Sequence, residues 1–580
     1  MRTHRGTSVH WYALPGALIA GASFGQVAPD DAQVLIQEII DSVGHYVAPV
    51  GDCPPIIPGE PSAIGQWELV PFKTNTGVVH GAVLPTGKVI WWAGELVAGP
   101  FVSGVWDPAT NEMATQEMLG IDQFCAYQVF MADGYLMTIG GGGNAAPGFK
   151  DCLVFDHDLE TWSKLDSMEF GRWYPTSVVL GDGKIATFSG YNGPVEEVEV
   201  YDPEIDQWST LPDSADKYLE IYPSMHLMPD GTLFYTGTRW NGGAGWGGAT
   251  TALLDLETNS WSNVGNHVIG DRSEGVSVLI PEKEAGAEPW RVLVAGGYAN
   301  GNQQDSAEII DMSQQGAAWQ QITDMNFPRN NANGVILPDG NVVFCTGIEG
   351  FKWNGDRIDT LDAEMFDPDT NTWTVMDAMQ YPGQYHSISL LLPDGRVVKT
   401  GGQDGGPVVY EIEVYSPPYL FRGPRPEITS APDTIGWGSQ IKIDTTQADS
   451  IQSVSLVRMS TITHHTNTDQ RYLSLALNQQ DADTVVATAP AHGNLAPPGL
   501  YYLSVVNDCG VPSESKIVII GPAGECYPDY NDDGSLDILD FIAFQNGWTA
   551  NEPAADCDGD GAFNILDFVC FQNAFKGGCP

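Results

Sequence analysis

Six short stretches repeat one pattern along the chain: "LPTGKV" from residue 84, "MADGYL" from 131, "LGDGKI" from 180, "MPDGTL" from 228, "LPDGNV" from 337 and "LPDGRV" from 392. Each sets a turn between two apolar runs. Pro presets φ, Asp bonds the local backbone and Gly takes the positive φ, so each stretch predicts a β-hairpin. A seventh copy, "LIPEKEAGAEPWRVLVAGG" from 279, carries a longer loop. A second signal follows each copy: "VWDPATNEM", "VFDHDLETW", "VYDPEIDQW", "LLDLETNSW", "IIDMSQQGAAW", "MFDPDTNTW" and "VYSPPYLF". Most of these end in Trp, a side chain able to wedge between neighbouring sheets.

The two signals recur in register at roughly fifty residues, the kelch period. Seven four-stranded units predict an all-β architecture, a seven-bladed propeller over residues 66–421, with "QWELVPF" at 66–72 as the strand that closes the ring. Residues 424–521 hold short alternating strands, among them "QIKIDTT", "SVSLVRM", "TVVATAP" and "YYLSVVN", and predict an immunoglobulin-like β-sandwich. Residues 1–28 have the basic start, short apolar stretch and small residues of a signal peptide, which implies secretion or a cell-surface location. Residues 29–65 read as one amphipathic helix, "DDAQVLIQEIIDSV", and a Pro-rich linker. Acidic residues outnumber Lys and Arg by 74 to 25, for a net charge of -49. Such a chain repels phosphate backbones, which excludes nucleic acid as a partner.

A propeller does not define an activity; the site must. The innermost strand of each blade lines the channel, so residues at the starts of those strands converge at one mouth. Three starts are unusual: "DQFCAYQ", "GRWYPTS" and "GQYHSIS". They bring Cys125, Tyr174, Tyr385 and His386 toward one place. Tyr385 and His386 are neighbours, so regular alternation would point them to opposite faces; serving one site requires an irregular backbone there. In the sandwich, "TITHHTNTDQR" places His464 and His465 in a stretch suited to a loop tip.

The set "FCAYQ", "RWYPTS", "YHSISLLLPDG", "EIEVYSPPYLF" and "THHTNTDQR" resembles the copper radical oxidases, the group of galactose oxidase and glyoxal oxidase, over about residues 60–521. The "RWYPT" form and the "SPPYLF" transition are similar to the glyoxal oxidase branch. The resemblance implies copper held by Tyr174, Tyr385, His386 and His464, with Tyr174 joined through its ring to the sulfur of Cys125 as a thioether radical cofactor. It implies Tyr385 as general base, and a small aldehyde or primary alcohol oxidised with O2 to give H2O2. Imidazole and phenolate donors with an open position suit Cu(II). The chain departs from galactose oxidase after the glycines of the third blade, where "FSGYNGP" holds Tyr191 and Asn192 and no Trp. Gln128, Gln384 and Arg172 are candidates for residues around the metal, Arg172 equally for a structural salt bridge. The competing function is a non-catalytic kelch module that binds glycans or proteins at the cell surface.

Residues 522–580 hold two further repeats, "DYNDDGSLDILDF" and "DCDGDGAFNILDF". Both fit the calcium-loop pattern. The first offers Asp529, Asn531, Asp533, Asp537 and Asp540, the second Asp556, Asp558, Asp560, Asn564 and Asp567. "ILDFIAFQNGW" predicts a following helix. These loop–helix repeats resemble a dockerin, which implies a cohesin-like or cell-surface partner. Of nine cysteines, four lie in this segment. An odd total in a secreted chain suggests another task for one of them.

Overall fold

The computed structural model describes residues 53–522, except 95–100, 143–147, 192–194, 240–249, 352–356 and 404–407, together with parts of the C-terminal segment. The expected signal peptide, the helix expected before the linker, Asn192, and Asp529, Asn531, Asp533, Asp537, Asp556, Asp558 and Asp560 lie outside the described residues.

The chain is all-β through its main part. Seven antiparallel sheets of the repeat region follow one another in sequence. Their first strands are His80–Val83, Tyr127–Phe130, Thr176–Val179, Met225–Leu227, Val276–Leu279, Asn333–Ile336 and Ser387–Leu391, and every residue in them is buried. Burial on both faces is why these strands read as continuous apolar or small-residue runs without alternation. The strand Gln66–Lys73 completes the last sheet, pairing Gln66 with Ser416 and Trp67 with Tyr415.

The turn chemistry is the expected one. In all six "xxxG" turns the Gly amide donates to the first residue's carbonyl at 2.8–3.0 Å, as from Gly183 to Leu180 and from Gly340 to Leu337. The Gly φ angles run from 78° to 88°. Asp133, Asp182, Asp230, Asp339 and Asp394 each accept from the amide two residues on. The outer tryptophans also act as expected. The indoles of Trp162, Trp208, Trp261, Trp319 and Trp373 donate to Ser103, Asp166, Ala215, Thr251 and Thr323, each in or just after the preceding sheet. Trp67 does the same from the closing strand, to the Asp377 carbonyl.

Four sheets carry a fully buried ion pair: Arg172–Glu199, Arg272–Glu308, Arg329–Glu364 and Lys399–Glu413, all with side chains 0% exposed. Arg172 is thus bound structurally. The three arginines stand at one repeat position, just before the first strand of their sheet.

Residues 434–521 form a five-stranded and a three-stranded sheet. They share one apolar core that includes Ile441, Val485, Leu456, Leu503 and Val518. A disulfide joins Cys53 to Cys509, tying the linker to this unit. In the C-terminal segment the expected helix spans Ile538–Ala550, and Phe544, Ala555 and Phe571 make a separate small core beside the Cys557–Cys570 disulfide. Asp540 and Asp567 are buried; Asp567 accepts from the amides of Cys557 (3.0 Å) and Asn564 (2.7 Å) and so gathers its own loop. Among the described residues, no helix is long and apolar enough to cross a membrane.

Candidate metal centre

Six of the seven sheets begin with the same irregularity. Cys125, Tyr174, Tyr222, Glu274, Asn331 and His386 all have positive φ, between 47° and 72°. Each stands six residues before the first residue of its hairpin turn. A left-handed conformation costs a non-glycine residue on the order of 1–3 kcal/mol, and such strain gathers where a site needs it. The amide of Tyr174 donates to the Cys125 carbonyl, and that of Tyr222 to the Tyr174 carbonyl, both at 2.9 Å. The repeat therefore presents one aimed side chain per sheet at one end. The irregularity required at Tyr385–His386 is the left-handed His386, φ 72°.

The fourth element comes from the second β unit. The strand Thr461–Thr463 pairs with the inner edge of the first sheet, His80 opposite Thr463. It turns back through His464 and His465, whose φ angles are 56° and 105°, closed by a bond from the Thr466 amide to the Thr463 carbonyl at 2.7 Å. Two central residues with positive φ are what a tight mirror-image hairpin turn demands, a place normally given to Asn-Gly. Both histidines are buried, not exposed at a loop tip.

These elements bring all five expected residues together. The Tyr174 and Tyr385 hydroxyls lie 2.7 Å apart. The His464 ring is 4.5 Å from that of His386, 4.9 Å from Tyr385 and 5.0 Å from Tyr174, between centroids. Cys125 Sγ is 3.5 Å from His464 Nε2. The donor atoms of Cys125, His386 and His464 lie within 4.8 Å of one another. Tyr174 is 4% exposed and His464 1%, whereas Tyr385 is only part-buried and gives the site its accessible edge.

The electrostatics fit a cation. Burial pushes the Tyr174 and Tyr385 phenols well above their ordinary range, each raised further by Cys125 and Tyr385 also by Tyr174. Burial holds His386 neutral, its pKa pushed down to about 3, and lowers His464 as well, with His386 beside it adding to the effect. Both ring nitrogens of His386 are buried without a hydrogen-bond partner. Thr463 Oγ1 lies 3.2 Å from the Val79 carbonyl, to which it donates, and 2.6 Å from His464 Nδ1. With its one proton so used, the hydroxyl accepts from Nδ1–H, and the Nε2 lone pair of His464 is left facing the centre. Two neutral imidazoles and two adjoining phenols have an obvious common occupant, a divalent cation that would drive phenol ionisation.

Three neighbours were not anticipated. Tyr222 packs its ring 4.7 Å from both Tyr174 and His464 and donates to the Ala126 carbonyl at 2.8 Å. A signal for it existed: Tyr222-Pro223 repeats Tyr174-Pro175 at the same position. Trp173 stands edge-on to Tyr174 at 4.4 Å. His80 accepts from the Cys125 amide at Nε2 (3.1 Å), donates from Nδ1 to Gln128 (3.0 Å) and stacks on Trp92 at 5.0 Å. Gln128 thus acts through His80, and Gln384 donates to Asp359 at 2.6 Å.

The family described as "Glyoxal oxidase N-terminus" matches residues 102–419, and "Galactose oxidase-like, Early set domain" matches residues 425–520. The chain is 28% identical over 478 residues to a galactose oxidase of Gibberella zeae, covering 75% of this chain and 68% of that one. It is 28% identical over 465 residues to the aldehyde oxidase GLOX of Vitis pseudoreticulata, covering 72% and 86%. Its fold is similar to that of a fungal alcohol oxidase of the AA5 family solved with copper, with a TM-score of 0.68 and 24% identity over 79% of this chain and all of that one. The chain belongs to the glyoxal oxidase family of copper radical oxidases.

Proposed function

We propose that the protein is a secreted copper radical oxidase of glyoxal oxidase type, which converts a small aldehyde or primary alcohol with O2 to the oxidised product and H2O2. The observation that carries this reading is the convergence of Tyr174, Tyr385, His386 and His464 beside Cys125. Those four residues would hold copper, which when bound supplies a one-electron acceptor and an open coordination position. The seven sheets are then the blades of a kelch propeller over residues 66–421, and residues 424–521 an immunoglobulin-like sandwich whose His464 turn enters the channel.

The residues divide the work. Tyr385 is the least buried member of the cluster, so its oxygen meets the substrate hydroxyl and takes the proton as general base. Tyr174, buried beside Cys125, would once joined to its sulfur hold one oxidising equivalent and accept a hydrogen atom from the substrate carbon. The thioether enriches the ring with electrons and so brings that state within reach. Trp173 and Tyr222 shield the ring from water. His80 fixes the Cys125 backbone so that its sulfur stays turned to the centre. The disulfide Cys53–Cys509 agrees with an oxidising compartment.

The test is an oxidase screen of the copper-loaded protein with peroxide as readout. Turnover of glyoxal, methylglyoxal or a simple primary alcohol above galactose is the expected result. No peroxide from any of them, with copper bound, favours the non-catalytic kelch binding module instead.

The segment 522–580 is read as a dockerin-like calcium module that docks a cohesin-like partner or holds the protein at a surface. Asp540, Asn564 and Asp567 are its described loop residues, with Asp529, Asn531, Asp533, Asp537, Asp556, Asp558 and Asp560 completing the two loops. A core as small as Phe544, Ala555 and Phe571 needs support from metal or disulfides. A calcium-selective chelator is therefore expected to make the chain beyond residue 522 protease-sensitive while the rest resists digestion. Equal resistance with and without calcium would refute the loop reading.

A further inference from the structure

The left-handed entry residues brace one another from sheet to sheet. The amide of Tyr174 donates to the Cys125 carbonyl, that of Tyr222 to the Tyr174 carbonyl and that of Asn331 to the Glu274 carbonyl, at 2.9–3.0 Å. Cys125 stands first in the series and has no such neighbour before it. The equivalent residue of the first sheet is Val78, which is not left-handed. In place of a carbonyl, the Cys125 amide meets a side chain, His80 Nε2 at 3.1 Å. We infer that His80, its orientation set by Gln128, is a positioning residue for the making of the Cys125–Tyr174 thioether. This rests on the oxidase reading above and concerns how its redox group forms.

One backbone amide settles the hydrogens around it. A backbone N–H only donates, so His80 Nε2 must be the bare nitrogen and Nδ1 must carry the hydrogen. Nδ1–H then needs an acceptor, and the Gln128 atom at 3.0 Å is Oε1. The amide nitrogen of Gln128 is left buried without a hydrogen-bond partner. Turning that amide round would move the imidazole hydrogen to Nε2, where it would face the Cys125 N–H. Burial pushes the His80 pKa down to about 3, so the ring stays neutral and Nε2 accepts. The ring is also fixed in plane. It is 0% exposed and stacks on Trp92, its cross-strand partner, at 5.0 Å with 6° between planes.

Forming the thioether breaks the S–H bond of Cys125 and one ring C–H bond of Tyr174, and makes one S–C bond. The two hydrogens leave with two electrons to O2, which becomes H2O2, in the presence of copper. The sulfur must sit against one ring carbon for this, and its direction follows from the φ of 54° at Cys125. A buried N–H deprived of its acceptor drives a residue toward another conformation, and a left-handed one has little to resist with. The same strand end orients a metal ligand by other atoms. The Val79 carbonyl accepts from Thr463 Oγ1, which in turn holds His464 Nδ1. A change in the His80 side chain therefore reaches the sulfur and leaves the hydrogen bonds of His464 in place.

The experiment follows the cross-linked fraction against time by mass spectrometry, after copper is added in air to the metal-free chain. It compares the native protein with His80→Phe, His80→Gln and Gln128→Leu. His80→Phe keeps a flat ring on Trp92 but offers no acceptor, and is expected to slow linking by about tenfold or more. His80→Gln presents a carbonyl to the Cys125 amide and should recover most of the native rate. Gln128→Leu lets the imidazole hydrogen move to Nε2 and should fall between. Copper content should be the same throughout. Equal rates in the native chain and His80→Phe overturn the inference. Equal losses in His80→Phe and His80→Gln do so too, since packing alone would then explain them, as does slow linking matched by loss of copper. Should His80→Phe not fold, Gln128→Leu decides, and linking at the native rate rejects the inference. A second arm measures hydrogen exchange at the Cys125 amide in the metal-free protein. Faster exchange in His80→Phe and Gln128→Leu supports the positioning role; unchanged exchange rejects it. If copper never joins Cys125 to Tyr174 in the native chain, the oxidase reading fails, and the exchange arm still decides whether His80 holds Cys125.

Discussion

Tyr174→Phe is expected to abolish turnover, by on the order of 10⁴-fold or more, because on the function proposed above it removes the group that carries the reaction and not one that tunes it. The structure puts this residue where one oxygen could serve two purposes. Its hydroxyl meets that of Tyr385 at 2.7 Å, and its backbone amide donates a 2.9 Å hydrogen bond to the Cys125 carbonyl. The thioether requires loss of one hydrogen from the Cys125 thiol and one from the Tyr174 ring, with O2 as acceptor in the presence of copper. The copper-treated protein should therefore be lighter than the metal-free form by two hydrogen atoms. A peptide map should join the segments around residues 125 and 174 by a bond that reductant leaves intact. Cys125→Ser should keep copper, since the sulfur is not counted among the ligands, yet lose most turnover and the mass change together. A Cys125 that alkylates freely after copper treatment would remove the radical-cofactor account.

The difference between what could and could not be read in advance follows from physics local to each residue. The glycine turns of the repeat were legible because only a few residues tolerate their φ angles, and Gly87, Gly134, Gly183, Gly231, Gly340 and Gly395 all adopt them. The tryptophans that end the second signal were legible because an indole must both bury its rings and place its N–H. Cys125, Tyr174, Tyr385, His386 and His464 stood out through a family likeness that spans both β units. Glu274 and Asn331 did not stand out as entry residues, since what they share with Cys125 and Tyr174 is a backbone conformation at an equivalent position, which residue type alone does not reveal. His80 was hidden for another reason. Its role is a hydrogen bond to the Cys125 amide, 45 residues away in sequence, and a lone buried histidine carries no signature of such a bond. The turn His464–His465 also ran against local rules, because tertiary pairing with His80–Val83 sets it.

Arg172→Met is expected to cost about 3–5 kcal/mol of stability, a large effect for a change outside the metal centre, because it strands a buried carboxylate. Arg172 and Glu199 are both 0% exposed and joined through Nε at 3.0 Å and Nη2 at 2.8 Å. The guanidinium also donates to the carbonyls of Ser189 at 2.6 Å and Glu197 at 2.8 Å. Glu199 in turn accepts from the Glu169 amide at 2.6 Å, so the loss spreads into the segment that leads to the first strand of the third sheet. Removing both charges as Arg172→Met with Glu199→Leu should recover much of the loss, since the penalty belongs to the unpaired ion and not to the pair. The two variants also separate stability from placement. Arg172 stands two residues before Tyr174, and its carbonyl accepts from the Gly141 amide at 2.8 Å. If the ion pair serves only to hold the sheet, the double variant forms the Cys125–Tyr174 link as readily as the native chain. If it also sets the left-handed turn at Tyr174, the double variant is stable but links slowly, which the fraction of cross-linked protein after copper treatment would show directly. Denaturation midpoints give the first quantity and mass spectrometry the second. A single variant as stable as the native chain would mean that water reaches Glu199, against its complete burial here.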